Sequence, residues 1–163
     1  MRLQYKTLTE RALKDFSGFS CGNEPWNDLA DFLLNDAFEQ QENRHNRTYL
    51  FYADDKPAAY VTVSADSIKR ERIPAPYGNI STVLIGRLAV DTRFKGKGIA
   101  QEIMAWVRYQ AATLWLGCRF VAVHVDIENT RALQFYEQQG FFVQPYSRTK
   151  QKLMLYDLVA TND

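Results

Sequence analysis

Gly86-Arg87-Leu88-Ala89-Val90-Asp91-Thr92-Arg93-Phe94-Lys95-Gly96-Lys97-Gly98-Ile99-Ala100 carries an apolar run straight into two glycines and the start of a helical pattern. Upstream, 81–91 (STVLIGRLAVD) is apolar and β-branched, the composition of a central strand buried on both faces. Downstream, Ile99, Ile103, Trp106, Val107 and Leu114 share one stripe of a helix over 98–115. Gly96 and Gly98 let the backbone turn tightly and approach a ligand with no Cβ in the way. The first N–H groups of a helix lack intrahelical acceptors, and the helix dipole favours an anion there. The unit therefore reads as an anion cradle, with Lys95 and Lys97 adding positive charge.

Two commoner phosphate motifs do not fit. The G-x-x-x-x-G-K-[S/T] spacing is absent. So are the third glycine of G-x-G-x-x-G and the regular βαβ succession that a dinucleotide fold needs.

Working outward, 2–7 alternates as an opening strand, and helical patterns cover 9–16 and 25–42. Trp26, Leu29, Ala30, Leu33, Leu34, Ala37 and Phe38 form the apolar stripe of the second, with Asn23 as N-cap and Pro25 in its first turn. Strands at 47–53 and 57–65 join around Asp54-Asp55 as a hairpin. The stretch 66–80, with Lys69, Arg70, Arg72, Pro74, Pro76 and Gly78, reads as an irregular loop. Beyond the central unit, 119–125 (RFVAVHV) is a buried strand and 129–139 a short helix, and 141–146 with 150–159 forms a closing antiparallel pair. The order β-α-α-β-β-β-α-β-α-β-β makes a mixed α/β layer structure, and 163 residues suit a single domain, 1–163.

The 20 basic and 19 acidic residues leave a net charge of +1, which argues against a generic polyanion binder but permits a local basic patch. Cys21 and Cys118 lack metal-ligand spacing, so free thiols and no metal are expected. No apolar run suggests a membrane span, and MRLQYKTLTER holds no signal core; the expected location is the cytoplasm.

A second stretch, His124-Val125-Asp126-Ile127-Glu128-Asn129-Thr130-Arg131-Ala132-Leu133-Gln134-Phe135-Tyr136 through Gly140-Phe141, gives the first its chemistry. Together the R-x-x-G-x-G loop and the N-x-x-A-x-x-F-Y-x-x-x-G-F segment resemble the GNAT (Gcn5-related) N-acetyltransferases. The resemblance spans both motifs in register. It implies a mostly antiparallel sheet, splayed at an acetyl-CoA site and flanked by helices. Backbone groups of Leu88, Ala89 and Val90 would then bind the acetyl carbonyl and pantetheine, and amides of Arg93, Phe94, Lys95, Gly96, Lys97, Gly98, Ile99 and Ala100 would wrap the pyrophosphate. Asn129 would hydrogen-bond pantetheine, Ala132 and Phe135 would line the channel, and Tyr136 would point its hydroxyl at the thioester sulfur.

Those residue types suit the reaction. A neutral amine attacks the thioester, and a strand amide stabilises the developing oxyanion. The leaving thiolate needs a proton or a strong hydrogen bond, and a tyrosine with an ordinary pKa near ~10 is protonated at neutral pH. Tyr136 also reads as a packed core aromatic at helical spacing, and Asn129 as a helix N-cap. No glutamate stands in 81–91 to act as base; His124, Asp126, Glu128, His45 and a water relay remain open.

The Phe19-Ser20-Cys21-Gly22 opening, the strand start Arg47-Thr48-Tyr49-Leu50 and the I-G-R-L-A-V-D strand are similar to the GNAT toxins of bacterial toxin–antitoxin pairs. That resemblance implies aminoacyl-tRNA as acceptor and a ribbon-helix-helix antitoxin as partner. An α-amine, with a pKa near ~8, needs less help from a base than lysine does. Arg44, Arg47, Lys69, Arg70, Arg72 and Arg87 could supply RNA contacts, or form ordinary solvated surface. A small-molecule amine or a protein N-terminus is the alternative acceptor, with acidic Glu24, Asp28, Asp31, Asp36, Glu39 and Glu42 either lining a cleft or facing solvent. A non-catalytic acyl-CoA-binding module is the third reading. Phe141, Phe142, Tyr146 and Tyr156 offer either a homodimer face or core.

Overall fold

Strands β2 (Arg47–Ala53) and β3 (Lys56–Lys69) are joined by Asp54 and Asp55 alone, at φ 48° and 67°. Two successive positive-φ residues make the turn whose twist matches a hairpin, and aspartate tolerates that region better than most side chains. The computed structural model of the chain describes residues 1–22, 27–69, 79–144 and 150–159. Asn23, Glu24, Pro25, Trp26, Arg70, Arg72, Pro74, Pro76, Gly78 and Tyr146 lie outside the described residues. The chain divides into two compact units, Met1–Ser64 with Gly86–Ile103, and Ala65–Ile85 with Met104–Asp163.

In the first unit the strand order is β1-β2-β3-β4, where β1 is Leu3–Thr7 and β4 is Asn79–Val90. β1 and β3 both run antiparallel to β2, with a register shift between Phe51 and Tyr52. Helix α1 (Glu10–Leu13) is capped by Thr9, whose hydroxyl accepts from the Ala12 amide, and continues as a 3-10 turn over Lys14–Phe16. Helices α2 (Asn27–Asp31) and α3 (Ala37–Glu42) are linked by a π turn, Phe32–Asp36. The wider turn brings Phe32 into the core beside Ala30, Leu33 and Ala37. Of the expected stripe, Leu29, Leu34 and Phe38 are only partly buried. Leu8, Phe16, Phe19, Leu50, Tyr60 and Ala89 complete this core, each fully buried Leu or Phe contributing about 2 kcal/mol.

In the second unit the order is β4-β5-β7-β6, where β5 is Phe120–Asp126, β6 Phe142–Val143 and β7 Gln151–Asp157. β4 and β5 are parallel, pairing only from Thr82↔Phe120 to Ile85↔Val123; β7 is antiparallel to both β5 and β6. Helix α4 (Ile99–Thr113) contributes residues to both units, and α5 (Thr130–Gln138) belongs to the second. The fold is thus mixed α/β with mostly antiparallel pairing, as expected.

Several local expectations are corrected. Residues 66–69 continue β3 and 79–80 open β4, so both ends of the stretch expected as loop are strand. β4 is not buried on both faces: Ile80, Thr82, Ile85 and Ala89 are buried, while Arg87, Leu88 and Val90 are half-open. Leu114 falls past the end of α4 and is 68% exposed. Phe141 is core, packed between Tyr136 and Tyr156 just ahead of β6, and Phe142 is exposed. Among the described residues no helix is long and apolar enough to cross a membrane.

Candidate active site

β4 ends at Val90, and the next residue, Asp91, is only 1% exposed. A buried carboxylate needs donors, and this one accepts four hydrogen bonds. Oδ1 takes the Arg93 amide and Nε, both at 2.9 Å; Oδ2 takes the Ser20 amide at 3.1 Å and Arg93 Nη2 at 3.2 Å. Burial alone would raise the Asp91 pKa, but the bonds from Arg93 and Ser20 outweigh it and hold the carboxyl below its ordinary value.

A 3-10 turn over Thr92–Phe94 follows, then Gly96 at φ 77° and Gly98 at φ 80°. Apart from the adjoining residues, no protein atom lies within 4 Å of where a Cβ would stand on either glycine. Their requirement is therefore conformational, and the space beside them is open to a ligand. α4 begins at once, so the Ile99, Ala100 and Gln101 amides are the acceptor-free ones of a helix start. The flanking cations are less free than the sequence suggests. Lys95 Nζ donates to the Cys21 carbonyl at 2.8 Å, Arg93 is paired with Asp91, and Lys97 leans over the Phe94 ring at 5.6 Å. Leu88 and Val90 are half-buried on β4 and Ala89 packs into the first core.

In the second unit, Asn129 closes the start of α5, its Oδ1 accepting from the Ala132 amide at 3.1 Å. Its cap role is thus met by the oxygen, leaving the amide nitrogen for another partner. Tyr136 is 7% exposed and sits edge-on to Phe135 and Phe141, with ring centroids 5.1 and 5.2 Å away. Burial pushes its phenol well above the ordinary tyrosine value, so it is protonated at any physiological pH. Ala132 and Phe135 are half-buried on the same helix. His124 is exposed on β5, and Asp126 Oδ1 accepts the Glu128 amide at 2.9 Å. His45 and Glu128 are also exposed.

Leu88 through Ala100 belong to the first unit, and Asn129 through Tyr136 to the second. Sequence reading assigned no role to Asp91 or Ser20. The available signal was an acid two residues before an arginine, directly after a strand. Of the cations expected to offer RNA contacts, Arg47 and Lys69 are exposed, Arg44 is exposed at φ 65°, and the Arg87 guanidinium lies 3.7 Å over the Phe32 ring centroid.

The sequence model of the acetyltransferase (GNAT) family matches residues 6–141. A curated relative, GCN5-related N-acetyltransferase 4, chloroplastic, of Arabidopsis thaliana, is 37% identical over 57 residues. That match covers 35% of this chain and 19% of the plant protein's length. Among solved structures, AtaT complexed with acetyl-methionyl-tRNAfMet is similar at 26% identity and TM-score 0.79, over 98% of this chain and 97% of its own. AtaTR bound with AcCoA is similar at 26% identity and TM-score 0.78, covering 97% and 95%. A tyrosine-to-phenylalanine mutant of the AtaT toxin, bound to the C-terminus of the antitoxin AtaR, is similar at 25% identity and TM-score 0.77, covering 97% and 94%. A family match spanning most of the chain, on a fold with that glycine loop and that tyrosine-bearing helix, supports one conclusion: this chain belongs to the acetyltransferase (GNAT) family.

Proposed function

We propose that residues 1–163 work as one N-acetyltransferase domain that moves the acetyl group of acetyl-CoA onto the α-amine of an aminoacyl-tRNA. The observation that carries the acceptor is the similarity, over nearly the whole chain, to AtaT in complex with acetyl-methionyl-tRNAfMet. The donor follows from the similarity to AtaTR bound with AcCoA and from the open glycine loop ahead of α4.

In this reading the amides from Arg93 to Ala100 hold the pyrophosphate, while backbone groups of Leu88, Ala89 and Val90 hold pantetheine and stabilise the oxyanion. The Asn129 amide nitrogen donates to pantetheine, and Ala132 and Phe135 flank it. Tyr136 donates to the leaving sulfur. Its raised pKa refines that role: full proton transfer to a thiolate runs uphill unless the thiolate is equally desolvated. Tyr136 therefore acts first as a strong hydrogen-bond donor, passing its proton as the thiol forms and regaining one from solvent. The acceptor amine loses its proton to water, since an α-amine is partly neutral near pH 7–8 and Asp126 is engaged in its own turn.

A ribbon-helix-helix antitoxin is the partner this reading implies, in line with the AtaT–AtaR complex, and the cytoplasm is the location. Asp28, Asp31, Asp36, Glu39 and Glu42 are all exposed, as in a solvated helix face, so no observation favours a small cationic acceptor. The test is transfer from labelled acetyl-CoA to a panel of aminoacyl-tRNAs, polyamines and peptides. Label should appear on aminoacyl-tRNA. Label on polyamine or peptide alone would remove the tRNA assignment and leave the transferase.

A further inference from the structure

We infer that the Phe19-Ser20-Cys21-Gly22 segment is a splint for the coenzyme A loop, and that Asp91 is the positioning residue through which it acts. The inference rests on the reading of 93–100 as the pyrophosphate loop. Three bonds tie two stretches roughly seventy residues apart. The Ser20 amide donates to Asp91 Oδ2 at 3.1 Å, the Thr92 amide to the Ser20 carbonyl at 2.9 Å, and Lys95 Nζ to the Cys21 carbonyl at 2.8 Å. Gly22, at φ 104°, turns the chain where Thr92 Cγ2 lies 3.7 Å from its Cβ position. On the opposite side, the Asp91 amide donates to the Ala58 carbonyl of β3 at 2.7 Å. The residue that begins the loop is therefore held by the strand beside it and by the segment ahead of α2.

Such a splint has a chemical purpose. Backbone amides bind a pyrophosphate well only when their directions are fixed beforehand, because ordering a loop on binding costs affinity. Gly96 and Gly98 permit many backbone shapes, so the shape must be imposed from outside the loop. Arg93 is part of the imposed structure. Its fork is held on the Asp91 carboxylate and the Lys95 ammonium on a carbonyl, so both side chains brace the loop while keeping further donors for an anion.

The test compares coenzyme A with pantetheine, which lacks the pyrophosphate, as calorimetric ligands of the full chain. Asp91→Asn should raise the Kd for coenzyme A about tenfold, as expected for losing one charge-assisted hydrogen bond. It should leave pantetheine binding unchanged, and amide exchange at Ser20 and Thr92 should quicken. The substitution also removes a negative charge, which on its own would tighten binding of an anion, so the expected sign is opposite to bulk electrostatics. Arg93→Gln, at a side chain 60% exposed, keeps the test alive if Asp91→Asn fails to fold. It should weaken coenzyme A binding, leave pantetheine binding unchanged and speed exchange at Ser20. Unchanged coenzyme A affinity in Asp91→Asn, or equal losses for both ligands, would overturn the splint. So would an Arg93→Gln variant that kept its coenzyme A affinity, or lost it without faster Ser20 exchange. A wild-type chain that bound no coenzyme A would instead overturn the donor reading, and the splint with it.

Discussion

The two regions assigned to the donor are held by opposite means. The loop after β4 is fixed by hydrogen bonds: a buried carboxylate that takes the Ser20 amide, a backbone tie from Thr92 to the Ser20 carbonyl and a lysine on a carbonyl. The start of α5 has its cap, but Tyr136 is fixed by packing, between Phe135 and Phe141. Behind them Phe141 meets Tyr156, and the Arg108 guanidinium lies over that ring. The difference suits the roles proposed for the two regions. An array of amides needs every backbone dihedral specified, which directional bonds achieve. A single hydroxyl at the end of a rigid ring needs only the ring's position, which apolar contact secures.

The largest test of this contrast is Tyr136→Phe. It keeps the ring and its packing, so Tm should stay within about 1 °C, while acetyl transfer should fall on the order of 100-fold or more. Unchanged turnover would sink the proton-donor role. Next comes a pair of glycine substitutions. Gly140→Ala forces a Cβ at φ 93° to within 3.0 Å of Tyr156 Cε2, disturbing the ring stack. It should cost about 2 kcal/mol and lower Tm by about 4–8 °C. Gly96→Ala meets nothing within 4 Å at φ 77°, so it should cost about 1 kcal/mol while weakening coenzyme A binding more than Gly140→Ala does. If the two variants lost stability and affinity in the same proportion, the contrast between the regions would dissolve. The smallest effect concerns pH. A carboxyl whose folded pKa is depressed adds stability above its unfolded value near ~3.9 and loses it as pH falls through the folded one. Wild-type Tm should therefore drop more steeply from pH 5 to 3 than that of Asp91→Asn, measured by calorimetry.

The elements that sequence reading found are those built from neighbours along the chain. The Asp54-Asp55 hairpin, the two glycines and the Asn129 cap each need only a few adjacent residues, and each stands where the pattern put it. The parts that escaped are long-range. Nothing adjacent to Asp91 announces Ser20, and nothing in the 25–42 stripe announces a π turn at Phe32–Asp36. Arg93 and Lys95 looked like free charge because a sequence does not reveal partners already in place. β3 outran its expected end for a related reason: Lys69 is exposed on a pairing strand, and strand pairing tolerates polar residues that local propensity penalises.

The tie between Ser20 and Asp91 spans most of the first unit's sequence, and that has a kinetic consequence. A stretch holding β4, the glycine loop and α4 contains the whole motif, yet lacks the group that shapes it. During synthesis the amino-terminal segment emerges first and must wait for β4 to dock on β3 before its bonds can form. Contacts of such long loop closure form late, since their entropy is paid before any contact rewards it. Coenzyme A binding is thus expected to appear late in refolding, after the segments of the motif itself have formed.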